Sequence, residues 1–174
     1  MWMALAKCAG LPKAMNLRPQ NLYWLLATLL VVALDQWSKI WISGHFQYGE
    51  SLNILPFFDL VLAHNYGAAF SFLSDAGGWQ RWFFTGIAAV VSLLLVVWIA
   101  RLKTNEKMLA FALAFILGGA IGNLIDRIQF GYVVDFLRFY VQQWSFPAFN
   151  LADSAITLGA ILVLWDAFFG SSKR

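Results

Sequence analysis

The chain has 174 residues, of which 61% are hydrophobic and 12% are charged, and its formal net charge is +3. A soluble domain carries about twice that charged fraction, so the composition excludes an ordinary soluble protein and favours an integral membrane protein. The basic residues lie beside apolar runs rather than in one patch, which argues against nucleic acid as a partner.

Four apolar runs of about 20 residues are each long enough to cross a hydrocarbon core of roughly 30 Å. The first run follows basic residues, as in a signal peptide, but it continues into Asp35 and Lys39 without a small-residue cleavage site, so we interpret it as a retained span. The whole chain, 1–174, is interpreted as a single membrane domain with an N-terminal extension over 1–20. The predicted spans cover about 22–42, 79–100, 107–128 and 150–169.

Lysine and arginine residues indicate how the spans are oriented. They precede the first span, link the second span to the third within 101–107 and end the chain, whereas the segment 43–78 contains none. Cytoplasmic loops carry the excess of basic residues in membrane proteins. We therefore expect both termini and the 101–107 loop to be cytoplasmic, and the segments 43–78 and 129–149 to lie on the outer side.

The outer segment 43–78 is too long for a simple turn between two spans. It contains two β-prone stretches, 51–55 and 58–64, which are separated by Pro56 and Phe57. The predicted fold class is therefore an all-α membrane protein, a four-helix transmembrane bundle with a small β-cradle between spans one and two. An ordinary interfacial loop is the alternative for this segment.

Polar residues from distant parts of the sequence are predicted to meet at one depth. Spans one and three begin at the cytoplasmic face, whereas span four begins at the outer face. Residues near the ends of spans one and three therefore lie at the same depth as residues near the start of span four. Ionisable groups at such depth usually face a bundle interior or a water cavity and mark function. The converging residues are Asp35 and Lys39 of span one, Asn123, Asp126 and Arg127 of span three, Asp135 of the outer connection, and Asn150 and Asp153 of span four.

Several of these residues also have a structural interpretation. Asp126 and Arg127 are consistent with an interfacial ion pair that ends a helix. Asp35 and Lys39 lie one helical turn apart, so they are consistent with a pair that braces the loops.

The start of span four and the glycines of span three have structural alternatives as well. Asn150 and Asp153 suit the N-terminus of a helix, where side-chain oxygens accept backbone N–H groups. Gly118 and Gly122 form a small-xxx-small pair, which favours close helix packing over chemistry.

The chemistry open to paired carboxylates is peptide hydrolysis without a metal. Two adjacent carboxyl groups share one proton, so the ionised group activates water while the protonated group polarises a carbonyl. Amide side chains such as those of Asn123 and Asn150 are suited to orient the acids. His45 and His64 are the only histidines and no HExxH motif is present, so neither a metal nor another cofactor is predicted.

Two other function classes remain open from the residues alone. A proton-coupled transporter also uses intramembrane acids and lysines, but it predicts polar residues through the full membrane thickness, whereas the inner halves of these spans are nearly all apolar. A non-enzymatic assembly protein would suit the aromatic outer segment and would leave the acids unexplained.

Five motifs in order resemble the bacterial signal peptidase II family, the lipoprotein signal peptidases. The resemblance covers about residues 22–169. It implies a four-span aspartyl endopeptidase of the bacterial inner membrane, with its active site at the periplasmic face, that cleaves prolipoproteins just before a diacylglyceryl-modified cysteine. The motifs are DQWSK, NYGAAF, GGAIGNLIDR, GYVVDF and FNLADS.

The resemblance also implies roles for individual residues. It assigns Asp135 and Asp153 as the catalytic pair. Asp126 matches a further family motif and is placed with Asn123 and Arg127 in a supporting role. The remaining motif residues, which would support the site or bind substrate, are Asp35, Lys39, Asn65 and Asn150.

The expected partners follow from the same resemblance. They are a diacylglyceryl-modified prolipoprotein, membrane lipid and the cyclic peptide inhibitor globomycin. A substrate tethered by acyl chains arrives by lateral diffusion, so we expect a cavity that opens toward lipid as well as water. Aromatic side chains suited to its walls or lid, or equally to interfacial anchoring, are Phe57, Phe58, Tyr66 and Phe70.

Overall fold

The computed structural model describes residues 19–67 and 77–170. Among these residues, four helices are long and apolar enough to cross a membrane, which confirms the four predicted spans. The protein is a multi-pass membrane protein. The helices are α1 (Leu25–His45), α2 (Trp79–Arg101), α3 (Lys107–Gln129) and α4 (Leu151–Phe169).

The first candidate span, Asn21–His45, begins within one residue of its predicted start. A 3₁₀ helix over Pro19–Trp24 leads into α1, so residues 22–24 of this span are 3₁₀ rather than α-helical. Proline suits the first turn of a helix because its fixed φ is helical and because an N–H group at this position would have no partner within the helix. Residues 1–18 of the predicted extension lie outside the described ranges.

The sheet is larger than predicted and comes from two parts of the chain. Its strands run antiparallel in the order β1-β2-β3-β4, and the predicted stretches 51–55 and 58–64 form the first two. The other two strands lie in the 129–149 segment, so the sheet extends beyond the element predicted between spans one and two. An isolated two-stranded hairpin is marginally stable, and β3 gives β2 a second partner. The strands are β1 (Ser51–Leu55), β2 (Phe58–Asn65), β3 (Val133–Val141) and β4 (Trp144–Ser145).

A small apolar core joins the sheet to the end of α1. Ile42 of α1 and Leu62 of β2 pack with Val134 and Phe136 of β3, and all four are buried. Side chains alternate along a strand, so Val134 and Phe136 face this core while Asp135 between them faces the other way. The packing of the sheet on α1 therefore sets the direction of the Asp135 side chain.

Glycines on α3 allow two neighbouring helices to approach its backbone. A Cβ atom added at Gly118 would lie 2.6 Å from the Cβ of Val31 on α1, and one added at Gly122 would lie 2.5 Å from Asp35 Oδ2. A Cβ atom at Gly119 would collide with the backbone of α4. The packing role predicted for Gly118 and Gly122 is confirmed, and α3 is the central helix of the bundle.

Side chains near the start of the first span satisfy carbonyls of two other helices. Asn21 Nδ2 donates to the Leu102 carbonyl at the end of α2 at 2.6 Å, and Thr28 Oγ1 donates to Ala114 O of α3 at 3.0 Å. Polar groups in an apolar interior need such partners. These bonds hold α1, α2 and α3 together at the end of the bundle opposite the sheet.

The Gly118→Ala variant should be less stable than wild type, because the added methyl group overlaps Val31 and α1 must move. Overpacking of this kind costs about 1–3 kcal/mol. Thermal unfolding of the purified protein in detergent measures the effect. Gly86→Ala is the matched control, since a Cβ atom at that α2 position has no atom within 4 Å. Equal melting temperatures for the two variants would contradict the role of Gly118.

Candidate active site

All the predicted site residues lie at the end of the bundle that carries the sheet. They belong to one network of hydrogen bonds and ion pairs, although they come from five separate elements of the chain. Asp35 and Lys39 are on α1, Asn65 ends β2, Asn123, Asp126 and Arg127 lie late in α3, Asp135 is on β3, and Asn150 and Asp153 begin α4.

The ammonium group of Lys39 is the centre of this network. Its Nζ atom lies 2.8 Å from Asp35 Oδ2, 2.9 Å from Asp126 Oδ2 and 3.0 Å from Asn123 Oδ1. The side chain is only 3% exposed. An ammonium group has three donors and here all three find an acceptor. The predicted Asp35–Lys39 pair is therefore present, and it extends to α3.

Asp126 and Arg127 do not form the ion pair that was one interpretation of the sequence. Asp126 faces the interior, where it binds Lys39 and accepts a hydrogen bond from the Val134 N–H at 3.1 Å. Arg127 instead donates to the Gly67 carbonyl at 2.9 Å. Adjacent helical residues point in different directions, so the two side chains reach different partners.

The amide of Asn123 connects Lys39 to Asp153. Its Oδ1 atom accepts from Lys39 Nζ, and its Nδ2 atom donates to Asp153 Oδ1 at 2.8 Å. Because the ammonium group can only donate, the oxygen of the amide must face Lys39 and the nitrogen must face Asp153. The charge of Lys39 thus orients the Asn123 amide so that its NH₂ group donates to Asp153.

Asn150 contacts both predicted catalytic acids. It is the N-cap of α4 in a capping box, with Oδ1 accepting from the Asp153 N–H at 2.9 Å and its own N–H donating to Asp153 Oδ2 at 3.3 Å. Its Nδ2 atom donates to Asp135 Oδ1 at 2.7 Å. The capping interpretation of Asn150 and Asp153 is therefore confirmed, and the cap also joins the two acids.

Asp135 is held by the register of the sheet. Ala63 of β2 is its direct partner, so Asn65 is the diagonal neighbour and donates to Asp135 Oδ2 at 3.2 Å. Burial, and after it the nearby carboxylate of Asp153, raises the pKa of Asp135 from 3.8 to about 7, while the hydrogen bonds from Asn65 and Asn150 oppose this rise. Asp135 is therefore suited to hold a proton near neutral pH.

A cavity of about 710 Å³ lies beside the acids. Its polar wall contains Asn65, Asn123, Arg127 and Asp153, and Asp135 lies one hydrogen bond behind Asn65. Another part of the cavity wall follows one face of α4 at spacings of three or four residues, and so extends about 10 Å along that helix. The residues of this α4 face are Ser154, Thr157, Leu158 and Ile161.

The aromatic residues of the cavity differ from those predicted. Phe146, directly after β4, and Phe149, shortly before α4, line the cavity. Three of the predicted wall residues lie elsewhere among the described residues: Phe57 is in the turn between β1 and β2, Phe58 packs on Phe139 of β3, and Tyr66 packs on Tyr132. The fourth, Phe70, lies outside the described ranges.

Comparison with known proteins decides the family. Residues 27–169 match the family described as signal peptidase (SPase) II. The chain belongs to the signal peptidase II family. The lipoprotein signal peptidase of Acinetobacter baumannii is 57% identical over 156 residues, which cover 90% of this chain and 89% of that relative. The lipoprotein signal peptidase of Acinetobacter baylyi is 54% identical over 156 residues, covering 90% and 87%.

A solved structure shares the fold of this signal peptidase II family member. It is described as a bacterial membrane enzyme determined by the in meso method at 2.3 Å resolution. The two structures superpose with a TM-score of 0.77 at 31% identity, over 87% of this chain and 92% of that chain.

Sequence reasoning missed one side chain of the signal peptidase II site. Gln36 Nε2 donates to Asp126 Oδ1 at 2.9 Å and to the Gly122 carbonyl at 3.2 Å, which adds a second tie between α1 and α3. The available signal was an amide next to Asp35 within an apolar span, inside the DQWSK motif. Polar residues in spans usually face the bundle interior.

The Lys39→Met variant should unfold at a markedly lower temperature, because it leaves Asp35 and Asp126 buried without a cation. Removing one partner from a buried ion pair costs about 3–5 kcal/mol. Thermal unfolding in detergent measures the loss. Lys107→Met, at the exposed start of α3, is the matched control. A Lys39→Met loss no larger than that of the control would refute the central role of this ammonium group.

Proposed function

We propose that Asp135 and Asp153 are the catalytic pair with which this signal peptidase II family member removes signal peptides from diacylglyceryl-modified prolipoproteins, cutting just before the lipidated cysteine. The observation that carries the proposal is the position of Asn150 beside a cavity of about 710 Å³: its Nδ2 atom donates to the Asp135 carboxylate and its backbone N–H donates to the Asp153 carboxylate. Close carboxylates that share one proton are the arrangement aspartyl peptidases require.

The charges of the network favour one shared proton. Within the described residues, four carboxylates, those of Asp35, Asp126, Asp135 and Asp153, face two cations, Lys39 and Arg127. Ionisation of both catalytic acids would leave two uncompensated negative charges in a buried site, which is strongly unfavourable. One proton on the catalytic pair leaves a single uncompensated negative charge.

The proposed reaction uses the pair as acid and base. The ionised carboxylate takes a proton from a water molecule in the cavity, and the water oxygen attacks the scissile carbonyl. The protonated carboxyl group donates to the carbonyl oxygen as the tetrahedral intermediate forms. Collapse of the intermediate breaks the C–N bond, a proton passes to the leaving amine, and the pair regains its single shared proton.

The supporting residues keep this pair in position. Asn123 and Asn150 donate to Asp153 and Asp135 respectively, and both amides are held in turn by other residues of the network. Arg127 and Asn65 lie in the cavity wall, and we propose that they contact the substrate backbone there. Fixed dipoles of this kind stabilise developing charge without reorganisation.

Lateral entry from the membrane suits both the substrate and the cavity. The α4 face below Asp153 is apolar at Leu158 and Ile161, whose side chains are 44% and 55% exposed. Apolar exposure on a membrane-spanning helix is surface that faces lipid. We propose that the acyl chains of the precursor reach the acids along this face, and that a globomycin-type peptide blocks the same cavity.

The distribution of basic residues supports an orientation in the bacterial inner membrane. We propose that both termini and the 101–107 loop lie in the cytoplasm, and that the sheet and the catalytic pair lie at the periplasmic face. The cradle formed by β1–β4 then lies at the outer interface.

A proton-coupled transporter has no support from the core of the bundle. The buried residues in the half of α3 nearer Lys107 are all apolar, from Leu109 to Leu117, so no polar path continues along this helix from the site. Proton pathways require chains of polar or ionisable groups.

Replacement of either proposed catalytic acid should abolish cleavage. Asp135→Asn and Asp153→Asn should each lower the rate by at least about 100-fold, since each removes an acid–base group. Asp126→Asn should slow the reaction less, because Lys39 keeps Asp35 as a partner. A gel-shift assay of purified protein in detergent, on a diacylglyceryl-modified prolipoprotein, measures all three. A wild-type rate for either Asp135→Asn or Asp153→Asn would show that the pair is misassigned.

The activity should fall as the pH rises through about 7, because the raised pKa of Asp135 keeps the shared proton on the pair only below that value. The Asn65→Ala variant removes a hydrogen bond that lowers this pKa, so the alkaline limb of kcat should move to higher pH. Profiles from about pH 5 to 9 test this. Asn53→Ala, whose amide binds Asp59 at the far part of the sheet, should leave the limb unchanged. A limb that moved to lower pH in Asn65→Ala would contradict the assignment.

A further inference from the structure

We propose that Arg81, at the start of α2, is a positioning residue for the catalytic site: it holds the end of α3 and the turn that leads to β3. The inference rests on the proposed catalytic pair. Neither the motifs nor the cavity lining point to Arg81, and its role emerges from its contacts with the backbone.

The guanidinium group of Arg81 caps the C-terminus of α3. Its Nε atom donates to the Arg127 carbonyl at 2.9 Å, and its Nη2 atom donates to the Ile128 carbonyl at 2.7 Å. The last four carbonyls of a helix have no partner within the helix, and a cation there also meets the negative end of the helix dipole. Arg81 therefore supplies two hydrogen bonds and a positive charge to the end of the helix that carries Asn123, Asp126 and Arg127.

The end of α3 needs a cation from outside because its own arginine is engaged elsewhere. Arg127 is the basic residue in the last turn, but its guanidinium group donates to the Gly67 carbonyl at 2.9 Å and lines the cavity. On its own helix Arg127 reaches the Asn123 carbonyl at 3.4 Å, one turn before the last carbonyls, so it does not cap the helix end. Arg81 replaces it at the helix end, which leaves Arg127 free to act in the cavity.

The same guanidinium group also packs against the turn after α3. Gly131 has a φ of +85°, and a Cβ atom added there would lie 3.2 Å from Arg81 Nη1 and 3.3 Å from its Cδ. On its own helix, the guanidinium carbon lies 5.0 Å from the ring centre of Trp82, within cation–π range. Arg81 is thus held by Trp82 while it touches the helix end and the turn together.

These contacts link the placement of Arg127 to that of Asp135. Arg127 precedes the turn and Asp135 follows it on β3, so both enter the site from the segment that Arg81 holds. A displacement of about 1 Å in an active site can lower a rate by about 100-fold. Loss of Arg81 is therefore expected to reduce kcat more than substrate binding, although Arg81 touches no reacting atom.

The test compares Arg81→Met and Arg81→Lys with wild type in the prolipoprotein cleavage assay, with rates expressed per folded molecule after size-exclusion chromatography. Arg81→Met keeps much of the apolar stem and removes both hydrogen bonds and the charge. We expect kcat to fall by about 10-fold or more, with KM changed less than about 2-fold. Arg81→Lys should recover part of the loss, since an ammonium group keeps the charge and can reach one carbonyl.

The alkaline limb of the kcat–pH profile supplies a second readout. It should move in Arg81→Met, because displacement of β3 alters the hydrogen bonds that Asp135 receives from Asn65 and Asn150. A purely structural role would lower the yield and melting temperature and leave this limb in place. Arg101→Met, at the opposite and exposed end of α2, is the matched control and should leave kcat and the profile unchanged.

The outcomes separate this inference from the proposed function. If Asp135→Asn is inactive while Arg81→Met keeps the wild-type kcat and pH profile, the positioning role is wrong and the catalytic pair stands. If Asp135→Asn cleaves at the wild-type rate, the catalytic pair is wrong and this inference falls with it. Should Arg81→Met fail to fold, Arg81→Lys decides, and an unchanged kcat with an unchanged limb in that variant would overturn the role.

Discussion

The buried ammonium group of Lys39 is the interaction on which the rest of the site depends. It binds one carboxylate from its own helix, Asp35, and one from α3, Asp126, and it also fixes the amide of Asn123. Through that amide the charge reaches Asp153 on α4. A buried cation with two carboxylates and an amide around it tolerates few alternative arrangements, because each unpaired member would be costly in an apolar interior. The positions of three helices are thereby tied to one atom.

This arrangement requires helix backbones closer than ordinary side chains allow. Gly118 and Gly122 bring α1 against α3, with Asp35 seated over Gly122, while Gly119 admits the first turn of α4 on another face. In lipid, helices associate through close packing and hydrogen bonds rather than through the hydrophobic effect. The glycines and the polar network therefore act together, since short distances between backbones are what allow short side chains such as Asp and Asn to meet.

The sequence predicts the spans and the depth of the acids well, because helix length and the rise per residue are local properties. It does not predict that β3 pairs with β2, since Asn65 and Asp135 are 70 residues apart and nothing local specifies that partner. One interpretation of the sequence also gives Asp126 the wrong partner, Arg127, because adjacency in sequence is not adjacency on a helix. Arg81 escapes notice for a further reason: its partners are backbone carbonyls, which every residue possesses and no motif records.

The Asp35–Lys39 contact, which lies within a single helix, has a consequence for how the chain enters the membrane. Asn123, which Lys39 binds in the finished bundle, lies 84 residues later in the chain, so α1 is synthesised long before α3 exists. A lone charge in a span opposes insertion by about 2.5–3.5 kcal/mol. Because the two residues are one turn apart, they neutralise each other as soon as α1 becomes helical. The helix can thus rest in the bilayer with its two charges paired, and the arrival of α3 adds Asp126 and Asn123 as partners of Lys39 without breaking that pair.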